Sequence, residues 1–203
     1  MKRHKILLSF VLSILVFSAL SVVHATTVEF TAPYDDGNGQ TGWGGEWNDR
    51  PGDGVCEVFM NALFTPSTVW CWVGSDRTLT STKYVSMECE LTLTGYIGTG
   101  GPWGHGLLQV FLECRDWDDE SKVWSVKIYD WVCDWNGDKS KTYSNTDITE
   151  YLDFSGFPQQ TPSGHYYFVC RISFTGSWAG KFSYEYGSND RAELEVNSIT
   201  VSY

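Results

Sequence analysis

The chain has 203 residues, with 25 acidic side chains against 14 basic ones and a net charge of −11. A surface of that sign repels phosphate backbones and anionic headgroups, which excludes nucleic acid and acidic membranes and leaves neutral polysaccharide, a protein or a cation as partner. Aromatic residues make up 16% of the chain and no window carries a 3.6-residue apolar stripe, so the composition is that of strands and turns.

The first 25 residues read as an export signal. Lys2, Arg3 and Lys5 precede an apolar run over 6–23, and Val23-His24-Ala25 offers a small residue at the cleavage point. The run approaches the length of a membrane span, but Ser9, Ser13, Ser18 and Ser21 dilute it. Cleavage after Ala25 is therefore expected, giving a secreted or cell-surface protein with no membrane span. Removing the segment takes three cations and no acid, leaving 11 basic and 25 acidic residues in a single domain over 26–203. Behind such a signal, an even number of cysteines reads as a disulfide framework. The six (Cys56, Cys71, Cys89, Cys114, Cys133 and Cys170) allow fifteen full pairings, and the sequence does not choose among them.

In chain order, a first strand is expected at Thr27–Thr31. The segment Pro33–Gly54 follows, with seven glycines in 22 residues, and reads as a long loop carrying Trp43 and Trp47. Strands are then expected at Cys56–Leu63 and Val69–Val73. Val85–Thr94 alternates cleanly, with Val85, Met87, Cys89, Leu91 and Leu93 inward. A Gly-rich loop over Gly98–Gly106 carries Trp103 and His105. Leu107–Trp117 turns Leu108, Val110, Leu112 and Cys114 inward, and the polar stretch Asp116–Ser121 makes a hairpin into Lys122–Trp135. A short helical turn is allowed at Thr146–Tyr151. Tyr166–Phe174 alternates again, followed by Lys181–Tyr186 and Ala192–Tyr203, where a phase shift marks a bulge near Asn197-Ser198. Many short strands in one domain must stack as two sheets. The expected fold is an all-β, two-sheet antiparallel sandwich, jelly-roll-like, with an Ig-like sandwich as the alternative.

Pairing the hairpin so that Glu113 faces Lys127, Phe111 faces Tyr129 and Gln109 faces Trp131 keeps the two faces chemically separate. The outer face then interleaves Phe111, Glu113, Arg115, Trp117, Tyr129 and Trp131. Flat rings beside carboxylate and guanidinium groups suit a pyranose, whose apolar face lies on a ring while its hydroxyls meet the polar groups. Trp43, Trp47 and Trp103 are further candidates on loops. The competing reading makes these aromatics a second small core.

Asp134, Asn136 and Asp138 have the spacing that opens a calcium loop, but the later positions fail the pattern, and Asn136-Gly137 is first a hairpin turn. Calcium is thus a weak structural candidate, and no other cofactor is indicated. Glycosidase chemistry needs two carboxylates flanking a cleft; Glu113 is the natural candidate, with Glu88 or Glu185 as a distant mate. Gly176-Ser177-Trp178-Ala179-Gly180 misplaces its serine for a nucleophile elbow. Three functions follow: a non-catalytic module binding a polysaccharide or glycoconjugate or acting in adhesion, an extracellular protein that self-associates by strand addition, and a small jelly-roll glycoside hydrolase.

Overall fold

The computed structural model describes residues 26–62, 65–100, 103–134, 136–147, 158–187 and 189–203. The export signal and most of the allowed helical turn lie outside them; its first residues, Thr146 and Asp147, close a strand. Thirteen strands form among the described residues: β1 (Thr27–Phe30), β2 (Asp35–Thr41), β3 (Gly45–Arg50), β4 (Val55–Asn61), β5 (Ser67–Leu79), β6 (Lys83–Thr99), β7 (His105–Asp116), β8 (Lys122–Asp134), β9 (Ser140–Asp147), β10 (Gln159–Thr161), β11 (Gly164–Ser177), β12 (Gly180–Ser183) and β13 (Ala192–Ser202). No helix among the described residues is long and apolar enough to cross a membrane.

The strands make a jelly-roll-like sandwich of two antiparallel sheets. One sheet has five strands in the order β2-β5-β11-β7-β8; the other has eight, built on β1-β13-β4-β12-β6-β10, with β3 beside β4 and β9 beside β6. The chain passes from one sheet to the other at most of its connections. β12 and β13 share the slot between β4 and β6: β12 fills the end near Thr99, and β13 fills the rest.

The alternating strands place their apolar phase where hydrophobic burial requires it. Val85, Met87, Leu91 and Leu93 of β6, Leu108, Val110 and Leu112 of β7, and Phe168, Ile172 and Phe174 of β11 are all buried between the sheets. β13 carries its bulge between Val196 and Ser198, where its phase shifts. All six cysteines are buried thiols.

The segment 33–54 corrects the sequence reading. It is two strands, and it crosses the sandwich: β2 pairs with β5 in one sheet and β3 with β4 in the other. Its glycines are there for room. A Cβ on Gly37 would lie 2.4 Å from the Trp72 indole nitrogen, and one on Gly39 would lie 2.5 Å from the Trp70 ring. The glycines that resemble loop punctuation let a strand lie beside two tryptophans.

Candidate functional site

The outer face of the five-stranded sheet is built from the residues that alternate with the core. β5 contributes Trp70 and Trp72, β11 contributes Tyr167 and Arg171, β7 contributes Phe111, Glu113 and Arg115, and Trp117 follows at the β7 end. At its centre sits Glu113, fully buried although it points away from the core. Arg115 donates to its Oε2 from Nε at 2.9 Å and Nη2 at 2.6 Å. Arg171 donates to Oε1 from Nε at 2.9 Å, and the Ser125 hydroxyl donates to the same oxygen at 2.9 Å. Burial alone would push the carboxyl up. The hydrogen bonds and charges of Arg171 and Arg115 outweigh that and hold it below the usual carboxylate range.

The pinned guanidinium groups are laid against rings. Arg115 lies 5.6 Å from the Trp72 ring and 5.7 Å from the Trp70 ring, while Arg171 lies 4.1 Å from that of Phe111. Trp72 packs on Tyr167 at 5.4 Å between ring centres. Trp117 stacks in near-parallel on His165 at 4.1 Å and on Tyr167 at 4.6 Å, with 38% of its surface open. His165 Nε2 meets Asp76 Oδ2 at 2.6 Å. The result is a platform of stacked rings and fixed cations with a polar rim.

Of the residues singled out in the sequence, Phe111, Glu113, Arg115 and Trp117 share this face. Tyr129 and Trp131 do not, and the hairpin register explains why. Lys127 faces Phe111, then Ile128 bulges, and Tyr129 faces Val110 with Trp131 facing Leu108. The bulge reverses the phase of β8, so Tyr129 and Trp131 turn inward and pack against the core. Glu113 lies opposite Ser125 instead of Lys127, in the same unbroken register that sets Lys127 opposite Phe111, and Lys127 forms an ion pair with Asp130. Tyr129 and Trp131 instead fasten the sandwich edge: the Lys141 ammonium donates to the Tyr129 hydroxyl at 2.9 Å and lies over the Tyr129, Trp131 and Tyr143 rings.

Trp47 is also a packing residue, half-buried in β3 opposite Val58. Trp43 and Trp103 are 86% and 74% exposed, away from the platform. They sit at one end of the sandwich, where backbone hydrogen bonds join the connections (Asn61 to Gly44, Ala62 to Gly180, Gly100 to Ala179). Trp103 meets Trp178 edge-on at 6.2 Å there. Trp70, Trp72 and Tyr167 were missed in the sequence. The signal was available in the alternation of Val69, Cys71 and Val73, whose opposite phase is Trp70 and Trp72.

Glu113 is no general acid, since it is held ionised and its acceptor positions are filled. Its supposed mate Glu88 lies between the inward Met87 and Cys89 on the eight-stranded sheet, and so on the far side of the sandwich; Glu185 follows β12 of that same sheet. Asp134 and Asp138 close the β8–β9 turn: the Asn136 N–H donates to Asp134 Oδ1 at 2.8 Å and the Asp134 N–H donates to the Asp138 carbonyl at 2.9 Å. Among the described residues, no three histidine, cysteine or carboxylate groups are arranged to hold a metal ion. A concavity of about 380 Å³ opens on the eight-stranded sheet between Glu46, Glu57, Asp190, Arg191 and Glu193.

No family model and no curated protein matches the sequence. Solved structures share its outline at low identity. A structure of infectious bursal disease virus, Gx strain, is 11% identical over 88% of this chain, with a TM-score of 0.33. The enzymatically active domain of bacteriophage CBA120 tailspike protein 4 is 12% identical over 88%, at 0.28. The family 11 carbohydrate-binding module from Clostridium thermocellum, in complex with a mixed-linked tetrasaccharide, is 11% identical over 90%, at 0.27. The chain spans 32% of the virus protein, 19% of the tailspike chain and 91% of the module. At these TM-scores the likeness carries nothing about function.

Proposed function

We propose that the protein is an exported, non-catalytic saccharide-binding module that holds a neutral polysaccharide across the outer face of its five-stranded sheet. The observation that carries this reading is Glu113, which fixes two arginines among the rings of Trp70, Trp72, Tyr167, Phe111 and Trp117. A sugar ring has an apolar face and a rim of hydroxyls, so it needs flat rings flanked by oriented donors. Arginines already immobilised lose little conformational freedom when a ligand arrives. The acidic composition turns phosphate-rich partners away, which favours an uncharged polymer.

Strand addition between copies has less support, because β1 is paired along its length with β13 of its own chain, from Thr27 opposite Ser202 to Phe30 opposite Ile199. The test is native affinity electrophoresis in gels containing a mixed-linked β-glucan, a xylan, a galactomannan or a polyuronate. At least one neutral polymer retards the protein, and Trp117→Ala abolishes the retardation while Trp43→Ala keeps it. A folded wild-type protein unretarded in every gel overturns the proposal. Repeating the run with EDTA tests calcium in the turn of Asp134, Asn136 and Asp138.

A further inference from the structure

Three tryptophans stand at one end of the sandwich, each on a connection that crosses between the sheets. Trp43 lies between β2 and β3, Trp103 between β6 and β7, and Trp178 between β11 and β12. They are 86%, 74% and 48% exposed. We propose that this end docks on a membrane surface, its three indoles entering the interfacial layer of a bilayer of net-neutral lipids.

The backbone holds these rings out. Trp43 sits between Gly42 and Gly44, whose φ values are +82° and +86°, and its N–H donates to the Ser67 hydroxyl at 3.0 Å. Trp178 and Ala179 fill the β11–β12 connection at φ values of 48° and 68°, a region that disfavours residues carrying a Cβ. Glycine or asparagine would sit there with little strain, so a tryptophan at that position answers to something outside the packing of the fold. Hydrogen bonds pin the strained turn. The Ala179 N–H donates to the Ala62 carbonyl at 2.7 Å, and the Gly100 N–H donates to the Ala179 carbonyl at 3.0 Å. Gly104 lets the Trp103 connection close on the same turn, since a Cβ there would lie 2.8 Å from the Trp178 carbonyl oxygen.

Ring geometry and charge select the occupant. Trp103 and Trp178 meet edge-on, their planes 69° apart, so they do not offer the parallel faces along which a pyranose chain lies. A bilayer interface has no fixed shape. It asks only that the indoles share one end, each joining an apolar ring to an N–H donor. Acidic headgroups repel a chain of this net charge, whereas a zwitterionic headgroup carries both signs. The docking end also carries both. Lys139, whose carbonyl accepts from the Thr99 N–H at 3.1 Å, shares the β8–β9 turn with Asp134 and Asp138, and Lys181 follows the Trp178 connection in β12.

The saccharide platform lies apart from these rings, and Trp117→Ala keeps the two readings distinguishable. Purified protein lacking the export signal is centrifuged with sucrose-loaded phosphatidylcholine vesicles, and its fluorescence is read with and without dibrominated phosphatidylcholine, which quenches indoles at bilayer depth. The wild-type protein and Trp117→Ala are expected to pellet with the vesicles and to lose fluorescence to the brominated lipid. Trp43→Ala/Trp103→Ala/Trp178→Asn is expected to bind at least about tenfold more weakly and to stay in the supernatant. Trp178→Asn alone relieves the left-handed strain, so it binds vesicles more weakly while melting no lower than wild type. Adding phosphatidylglycerol to the vesicles weakens binding. Wild-type protein left in the supernatant, a triple variant that pellets like wild type, or tighter binding to the phosphatidylglycerol vesicles overturns the proposal. Oligomers of the wild type that the triple variant loses in the absence of lipid overturn it as well, by assigning the rings to a second copy.

Discussion

Glu113 and its two arginines show how a charged group can be buried on the outside of a sheet. Breaking one partner of such a network leaves unpaired buried charge, which costs about 3–5 kcal/mol. Glu113→Gln is accordingly expected to lower stability by that order in urea unfolding, with Arg115 and Arg171 losing their fixed poses. The pH dependence follows from the same carboxyl. Its folded pKa lies below the unfolded value of about 4.3, so its contribution is complete above that value and is lost as pH falls through the folded pKa. The wild-type protein loses stability on acidification in that window, and the glutamine variant lacks this component in pH-dependent melts. Trp117 and Trp72 separate binding from packing. Trp117→Ala removes stacked contacts worth about 0.5–1.5 kcal/mol, whereas Trp72→Ala, at 1% exposure, opens a cavity costing about 3–5 kcal/mol. Only the first is expected to lose polysaccharide retention with a nearly unchanged urea midpoint.

At the scale of elements, inward-facing strands were legible in the sequence because one buried face enforces a period of two, as in β6, β7 and β11. The hairpin register was not. Its chemistry pointed to Glu113 opposite Lys127, and the bulge at Ile128 leaves no mark that distinguishes it from regular alternation. That single inserted residue moved Tyr129 and Trp131 from the candidate face to the core side, while Phe111, Glu113, Arg115 and Trp117 stayed on the face assigned to them. β2 was hidden for a different reason: its glycines answer to the tryptophans of the next strand, which is a tertiary demand. Gly37→Ala places a methyl 2.4 Å from the Trp72 indole and is expected to cost about 1–3 kcal/mol, with a changed near-ultraviolet circular dichroism spectrum. Deleting residues 26–31 strips β1 from β13 and bares an edge. Gel filtration is expected to show oligomers for that variant and a monomer for the intact protein.

For the whole molecule, the two sheets divide the labour: the eight-stranded sheet closes one side of the core, and the five-stranded sheet presents its outer face. Saccharide is proposed to lie on the platform and not at the end of the sandwich that carries Trp43, Trp103 and Trp178. The measurement that decides it is a titration of protein carrying nitrogen-15 tryptophan with oligosaccharides from the polymer that retards it, following the indole N–H resonances. Shifts at Trp70, Trp72 and Trp117, with Trp43, Trp103 and Trp178 unmoved, are the predicted result; shifts confined to Trp43, Trp103 and Trp178 would contradict it.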